Sequence, residues 1–316
     1  HEVAREQFAV NVVPFRQSDC SGGKSRPEVS ETDDRWTVRC GETEMVFNRK
    51  DGSLRSFGKK GENLLYYAPD ASFWRAMTDN DRGENFHIKA NVWRCAARNK
   101  QLKSVEKSVT DSTVVIRSSY RINDAPSDWT VTYTARPDGE LLIDIDWTAD
   151  SPSLPELPRF GMLFTLPKKY CNFRWYGRGP WENYSDRNTS SFIGIHSGNV
   201  ADMRFRYIRP QESGNHTDVR WAELTDADGR GLLVRGLQPL EVSALDVSCD
   251  DLDPGVNKLR QHDNDIAPDR KRIYLNVDLR QRGVGGDDSW GQKPHEPYRL
   301  TAPSYSYSFT IKPIGQ

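Results

Sequence analysis

The sequence has 316 residues, of which 36% are apolar and 10% aromatic, including nine tryptophans. This length allows one large domain or two ordinary ones, and the aromatic content excludes a disordered chain. Its 44 basic and 45 acidic residues give a formal net charge of −1, which provides no field to attract nucleic acid or an anionic membrane surface, so we expect neither as a partner. The five cysteines are scattered and odd in number, which predicts neither a disulfide framework nor a zinc site.

The N-terminal residues predict a domain boundary. A short apolar strand precedes a stretch rich in glycine and serine, which has the composition of a linker. The strand either pairs with the following sheet or ends a preceding domain; we expect residues 1–15 to be the last strand of a preceding domain, 16–32 a linker and 33–316 one large domain. The sequence shows no signal-like segment and leaves a cytoplasmic or a periplasmic location open. The apolar strand is predicted from Phe8, Val10, Val12 and Val13.

From residue 33 onward, apolar residues recur with a period of two and are interrupted by turn residues, which predicts β-strands almost throughout. The clearest case is a hairpin over residues 129–147, with a Pro-Asp-Gly turn at residues 137–139. The same alternation recurs over residues 273–279 and 305–311. Long strands with one solvated face carry polar residues at every second position, which explains why only 36% of the residues are apolar. We therefore predict a large antiparallel all-β domain.

The first of three unusual segments, residues 73–83, brings acidic and amide groups close to two arginines. Asp79, Asn80 and Asp81 suit a polar loop that hydrogen-bonds its own backbone or the hydroxyl groups of a ligand. The segment does not fit a calcium-binding loop, because Gly83 takes the place of a ligand. A structural turn is the favoured interpretation.

The second segment, residues 175–187, is predicted as an aromatic-rich polar loop. Its two glycines resemble a nucleotide-binding loop, but a third glycine and a following helix are missing, so that signal is weak. Glu182 is either an acid/base carboxylate or the salt-bridge partner of Arg178 or Arg187. The salt bridge is the favoured interpretation.

The third segment, residues 283–290, directly follows the strand predicted at 273–279. Its glycines permit tight backbone geometry, and Trp290 stands among glycine, aspartate and serine rather than in an apolar run. A tryptophan in that setting suits stacking against the C–H face of a pyranose ring, which we expect to contribute on the order of 1 kcal/mol. The pattern alone leaves a ligand-binding role and a packing role open for Trp290.

Together these segments resemble the successive signatures of the C-terminal domain of family 2 β-galactosidases, the β-galactosidase small chain. The signatures occur in the family's order across roughly residues 33–315. Trp181 is a departure, because many members carry another residue after the Gly-Pro, but the rest of that motif is intact. Residues 1–15 resemble the end of the immunoglobulin-like domain that precedes this domain in the family. The stretches that carry the resemblance are Phe73–Gly83, Trp175–Arg187, Tyr207–Trp221 and Gly285–Trp290.

The resemblance implies an antiparallel supersandwich like that of galactose mutarotase. It also implies that both catalytic glutamates lie on a (β/α)₈ barrel, which takes ~250 residues of alternating strand and helix and has no counterpart in this sequence. The family's active-site magnesium and sodium ions are bound by other domains too, so no cofactor is expected in this chain. The expected partners are that catalytic barrel, the other domains of the same enzyme and a galactoside substrate, within a homo-oligomer.

For individual residues, the resemblance implies that Trp290 is the aromatic residue that this domain inserts into the active-site pocket, beside galactose. Asp287 and Asp288 are expected to fix its loop through hydrogen bonds to backbone N–H groups. Gly83 is expected to act as the hinge of a flexible edge near the pocket. That edge is predicted at Asp79, Asn80, Asp81 and Gly83.

Two other interpretations stay open. An aldose epimerase with the same sheet architecture would need a histidine acid and a glutamate base at a sugar anomeric centre, and none of the available histidines lies in that family's motif. The other interpretation is a stand-alone carbohydrate-binding or scaffold domain. The chain is either one part of a longer enzyme, which the N-terminal strand and linker favour, or a natural small subunit that associates with a separate catalytic chain. The histidines are His87, His196, His216, His262 and His295.

Overall fold

Alternating apolar residues fold into antiparallel strands over most of the chain. The structure, a computed structural model, describes residues 5–8, 26–59, 61–255, 258, 261–288 and 291–315. A small sheet contains β1 (Glu28–Glu31), β2 (Arg35–Cys40), β3 (Thr43–Asn48) and β4 (Leu54–Lys59). A large sheet contains β5 (Tyr67–Ser72), β6 (Gln101–Val109), β7 (Val114–Ile122), β8 (Ser127–Ala135), β9 (Leu141–Ala149), β10 (Arg159–Pro167), β11 (Asn172–Gly179), β12 (Phe192–Asn199), β13 (Asn215–Thr225), β14 (Gly231–Leu245), β15 (Arg272–Gln281) and β16 (Ser304–Ile314).

The large sheet is antiparallel at every pairing in the described residues. Its main path runs in the order β12-β11-β13-β14-β16-β9-β8-β7-β6, and β15 connects β14 to a branch formed by β10 and β5. The prediction of a large antiparallel all-β fold is therefore confirmed.

The hairpin predicted over residues 129–147 is formed by β8 and β9. Trp129 pairs with Trp147 across the two strands, and Gly139 adopts a positive φ of 80° in the turn. Along both strands, buried residues alternate with half-buried or exposed ones, because successive side chains point to opposite faces of a sheet. The strands predicted at residues 273–279 and 305–311 are β15 and β16.

Buried aromatic side chains hold the two sheets together. Phe47 of the small sheet contacts Tyr133 of the large sheet, with ring centroids 5.3 Å apart. Phe160 is fully buried and contacts the rings of Trp129 at 5.8 Å and Tyr307 at 5.6 Å. Six of the eight tryptophans that the structure describes are buried, so most of them serve the core.

Helices are short in the part of the chain that the structure describes. They are α1 (Asp79–Gly83), α2 (Phe86–Lys89) and α3 (Cys249–Leu252). The segment predicted as a polar turn forms α1, because Thr78 and Asp81 make a reciprocal capping box: each side chain accepts a hydrogen bond from the other residue's backbone N–H. No described helix has the length and apolar character needed to cross a membrane.

Part of the segment predicted as a linker forms a strand. Residues Glu28–Glu31 are β1 and pair with β2, and Val29 packs partly buried against the core. Phe8 is exposed, and the other residues of the predicted N-terminal strand, Val10, Val12 and Val13, lie outside the described residues.

Candidate functional site

The topology of the sheet brings α1 and the loop after β15 together. Strands β5 and β15 both pair antiparallel with β10, so they run in the same direction and end at the same edge of the sheet. Helix α1 follows β5, and residues 282–288 follow β15. We call residues 282–288 the edge loop.

The edge loop is held by hydrogen bonds from the α1 side. The Asn80 side chain donates to the Val284 carbonyl, with an Nδ2–O distance of 2.9 Å. Arg75 donates to the carbonyls of Arg282 and Gly283, the latter at 2.9 Å from Nη2. The first residues of the loop are therefore fixed through their backbone carbonyl groups, independently of their own side chains.

A buried charge network lies beneath the edge loop; we call Arg75, Asp81, Glu84, Glu156 and Arg282 the arginine network. Asp81 Oδ1 lies 2.9 Å from Arg75 Nη2 and 2.9 Å from Arg282 Nη1. Arg282 also pairs with Glu84, and with Glu156 at 3.4 Å. Arg75 and Arg282 are 0% and 1% exposed, and two buried cations are tolerated because carboxylates neutralise them.

Burial and neighbouring charges shift the pKa values of Glu84 and Arg75 in the arginine network. It raises the pKa of Glu84 above its usual value, although the neighbouring Arg282 cation opposes the shift. Burial disfavours the charged form of Arg75, but the Asp81 carboxylate outweighs that effect and raises the pKa of Arg75. Arg75 therefore stays charged while it holds the loop.

Asp186 holds the opposite side of the edge loop. Its Oδ2 accepts a hydrogen bond from the backbone N–H of Gly285 at 2.9 Å. A Cβ atom at Gly283 would lie 2.5 Å from the same oxygen, so a larger residue there would displace the carboxylate. This close approach is the physical reason for a glycine at the start of the segment.

The two aspartates at the end of the edge loop have different partners. Asp288 Oδ1 accepts hydrogen bonds from the backbone N–H groups of Gly291 and Gln292, both at 3.1 Å. Asp287 is exposed and pairs with the ring of His295, with an Nε2–Oδ1 distance of 2.9 Å. Of the two residues predicted to bind backbone N–H groups, Asp288 makes the bonds that close the loop.

Trp290, the predicted sugar platform, lies outside the described residues together with Ser289, and its role stays a prediction. The chain beyond it returns to α1, because a Cβ atom at Gly291 would lie 3.0 Å from the Gly83 carbonyl oxygen. Gly83 is thus next to the predicted platform segment, and its role as a hinge also stays a prediction.

Asp79 faces a different neighbour. Its carboxylate accepts hydrogen bonds from Arg209 Nη1 at 3.1 Å and from Gln211 Nε2 at 3.2 Å. These bonds tie α1 to the chain that precedes β13 rather than to the edge loop. Among the three polar residues predicted in this segment, Asn80 contacts the loop directly and Asp81 supports it through the arginine network.

A cleft of 190 Å³ opens beside α1 and the edge loop, lined in part by Asn80, Tyr207 and Val284. Near this cleft, Glu182 pairs with Arg187 at 2.8 Å and accepts a hydrogen bond from the Gly214 N–H at 2.8 Å, so the salt-bridge interpretation of Glu182 is confirmed. Within the described residues, no three His, Cys, Asp or Glu side chains are grouped so that they could hold a metal ion.

Three residues that fix this part of the site were not identified from the sequence: Arg75, Arg282 and Asp186. Two features of the sequence could have drawn attention to the segment around Arg75 and Asp81. Arg75 interrupts a run of apolar residues, and a charged residue in such a run is usually buried with a partner. Thr78 followed three residues later by Asp81 is the signature of a capping box, which predicts a helix start at this point.

The fold and the edge loop define a large antiparallel β domain with an anchored loop at one edge of its sheet. Residues 39–311 match the family model described as beta galactosidase small chain, and the chain therefore belongs to the β-galactosidase small chain family. The beta-galactosidase of Priestia megaterium is 36% identical over 99% of this chain, and that of Lactobacillus delbrueckii subsp. bulgaricus is 32% identical over 88%. The chain spans 30% and 27% of the length of these two relatives.

The solved structures to which this chain is similar are more distant. Galactose 1-epimerase from Lactobacillus acidophilus NCFM superposes with a TM-score of 0.46 at 9% sequence identity, covering 93% of this chain and 99% of that one. A likeness of this size carries no conclusion about activity.

Proposed function

We propose that this chain is the C-terminal portion of a retaining β-galactosidase that hydrolyses terminal non-reducing β-D-galactosides. In this proposal the chain completes the active-site pocket and supplies an aromatic sugar platform at Trp290. The two catalytic glutamates and the Mg²⁺ and Na⁺ sites belong to other domains of the enzyme. The family match and the names of the relatives support the class of enzyme.

The observation that carries the proposal is the anchoring of the edge loop directly before Trp290. Asn80 and Arg75 bind its backbone from one side and Asp186 from the other, while Asp288 bridges to the residues beyond Trp290. A side chain that recognises a ligand needs support that holds it in one place before the ligand arrives. A loop with these anchors is suited to that task.

Exposed apolar side chains beside α1 support contact with the rest of the enzyme. Trp181, Phe205 and Ile208 are 79%, 58% and 86% exposed. The Phe205 ring centroid lies 4.5 Å from that of Tyr207. The Tyr207 hydroxyl donates a hydrogen bond to Glu182, the residue after Trp181. Arg209, next to Ile208, pairs with Asp79 of α1. An apolar patch of this kind usually marks a protein contact, and we assign it to the catalytic domains.

The chain's own carboxylates support the assignment of catalysis to other domains. A retaining glycosidase needs two accessible carboxylates about 5–5.5 Å apart. Glu212, Glu241 and Asp278 lie close together, but they are buried and bound to Arg159 or Asn215. We therefore expect the 316-residue chain to show no turnover of lactose or nitrophenyl galactoside. Turnover that disappears when one of its own carboxylates is replaced would contradict this.

Trp290→Ala in the complete enzyme tests the platform. We expect it to weaken the binding of substrates and of glucose-like acceptors by about 1–3 kcal/mol, the loss typical of an aromatic anchor in a desolvated pocket. The measurements are KM for nitrophenyl galactoside and the rate of galactosyl transfer to glucose. Trp221→Ala is the control, because this β13 residue packs against Tyr176 with ring centroids 6.4 Å apart. Unchanged values in the Trp290 variant would refute the platform.

A further inference from the structure

Four adjacent strands, in the order β14, β15, β10 and β5, carry polar as well as apolar side chains on the face that points away from the core. On β14 and β15, Ala244 and Leu275 are buried in the core. Ser243 precedes Ala244 on β14, and Asn276 follows Leu275 on β15. These two residues are paired across the strands and point to the face opposite the core. Ser72 of β5 joins this face, because its hydroxyl donates to Asn276 Oδ1 at 3.3 Å.

This face of the sheet is the floor of a cavity rather than an open surface. The cavity has a volume of 440 Å³, and its walls include Trp74, Arg98 and residues 247–252. That volume lies within the range of about 300–1,000 Å³ found for small-molecule sites. None of the edge-loop residues lines it. We call it the sheet-face cavity.

The floor of the sheet-face cavity offers hydrogen-bonding groups of both kinds. Asn276 Nδ2 donates to Ser243 Oγ at 3.2 Å, and Asn276 Oδ1 accepts from Ser72. An amide group carries two N–H donors and two acceptor positions, and each hydroxyl one donor and two acceptor positions, so these bonds leave further positions for a ligand. Trp74 Nε1 is buried and has no hydrogen-bond partner within the described residues, although buried donors are normally satisfied.

The charges around the sheet-face cavity are paired. At its deep end, Arg159 lies 2.9 Å from Glu212 and 3.0 Å from Asp278. At its rim, Arg98 pairs with Asp250. The third arginine that lines the cavity, Arg272, also has a carboxylate partner, at 2.6 Å. An anionic ligand would gain no unpaired counter-charge from these arginines. The Asp251 carboxylate, which also lines the cavity, accepts hydrogen bonds from the backbone N–H and the hydroxyl of Ser248, so the cavity favours a neutral ligand.

We infer that the sheet-face cavity is a carbohydrate-binding site that takes a neutral monosaccharide or one end of a short oligosaccharide. Trp74 and Tyr274 offer aromatic surfaces to the C–H face of a pyranose ring. Ser72, Ser243 and Asn276 offer donors and acceptors to its hydroxyl groups. The cavity is separate from the edge loop, and the inference does not rest on the proposed function.

Ligand-observed saturation-transfer NMR of the 316-residue chain with D-galactose, D-glucose and lactose tests the inference. At least one of these sugars is expected to bind the wild-type chain. Asn276→Ala is expected to weaken that binding about tenfold, the loss that corresponds to one or two neutral hydrogen bonds. Asn172→Ala is the matched control, because this exposed strand asparagine donates to the Asp226 carbonyl outside the cavity, and it is expected to leave binding unchanged.

Ser243→Ala provides a second variant in case Asn276→Ala does not fold, and it is expected to weaken binding several-fold. Sugar binding that persists in Trp290→Ala comes from a site other than the proposed platform. The inference is overturned if none of the three sugars binds, if Asn276→Ala and Ser243→Ala bind as the wild type does, or if Trp290→Ala alone abolishes binding. Since no hydrolysis is measured, each of these outcomes leaves the proposed β-galactosidase role to its own test.

Discussion

Replacing Arg282 by methionine is expected to lower the free energy of unfolding by about 3–5 kcal/mol, the loss typical of removing one partner from a buried ion-pair network. Methionine occupies much of the same space, but Asp81, Glu84 and Glu156 each lose a cation with which they are paired. Arg75 then remains to neutralise Asp81. The measurement is urea unfolding at pH 7, followed by circular dichroism.

Arg121→Met is the matched control for this experiment. The Arg121 guanidinium pairs with Asp128 and Asp150 on the partly exposed surface of the large sheet, where ion pairs contribute little to stability. Adding Glu84→Gln to Arg282→Met is expected to recover part of the loss, because it removes a buried charge that has no partner. Equal losses in Arg282→Met and Arg121→Met would show that the arginine network does not stabilise this edge of the sheet.

Glu241→Gln is expected to stabilise the protein more at pH 8 than at pH 5, with a difference of about 2–3 kcal/mol. Burial raises the pKa of Glu241 to about 7 from its usual 4.5, against hydrogen bonds from the Gln281 N–H at 3.2 Å and Asn215 Nδ2 at 3.1 Å. The folded state therefore holds this proton more tightly than the unfolded chain does. Folding loses stability as the pH rises from about 4.5 to about 7, and the full cost applies above 7.

Glutamine removes this cost because it is neutral at every pH, and its carboxamide oxygen can accept the same two hydrogen bonds. The measurement is urea unfolding of wild type and variant at both pH values. Glu42→Gln is the control, because the Glu42 side chain is 85% exposed and the change should have little effect at either pH. A gain from Glu241→Gln that is the same at pH 5 and pH 8 would contradict the raised pKa.

The strands were predictable from sequence because their signals are local. The hairpin of β8 and β9 depends on its own alternating residues and on a glycine at position 139 that can adopt a positive φ. The turn and the register follow from neighbours in sequence. For the same reason the salt bridge between Glu182 and Arg187 was foreseeable, since the two residues are five positions apart.

The arginine network was not predictable because its members meet only in the finished sheet. Arg75 and Arg282 are 207 positions apart, and they approach each other because β5 and β15 flank β10. No periodicity in the sequence specifies that pairing order. The sheet-face cavity was not predictable for a related reason: Ser72, Ser243 and Asn276 lie on three different strands and meet only in the finished sheet.

The position of β16 has a consequence for how the chain is made. This strand lies between β14 and β9, and its Ser306 bonds to Asp146, 160 positions earlier. During synthesis, the sides of β9 and β14 that pair with β16 therefore stay unpaired until residues 304–314 have left the ribosome. Each then presents a row of free N–H and C=O groups, the usual template for aggregation. Such distant pairings also form slowly, so we expect the unpaired edges of β9 and β14 to be the places where the unfinished chain is most prone to aggregate.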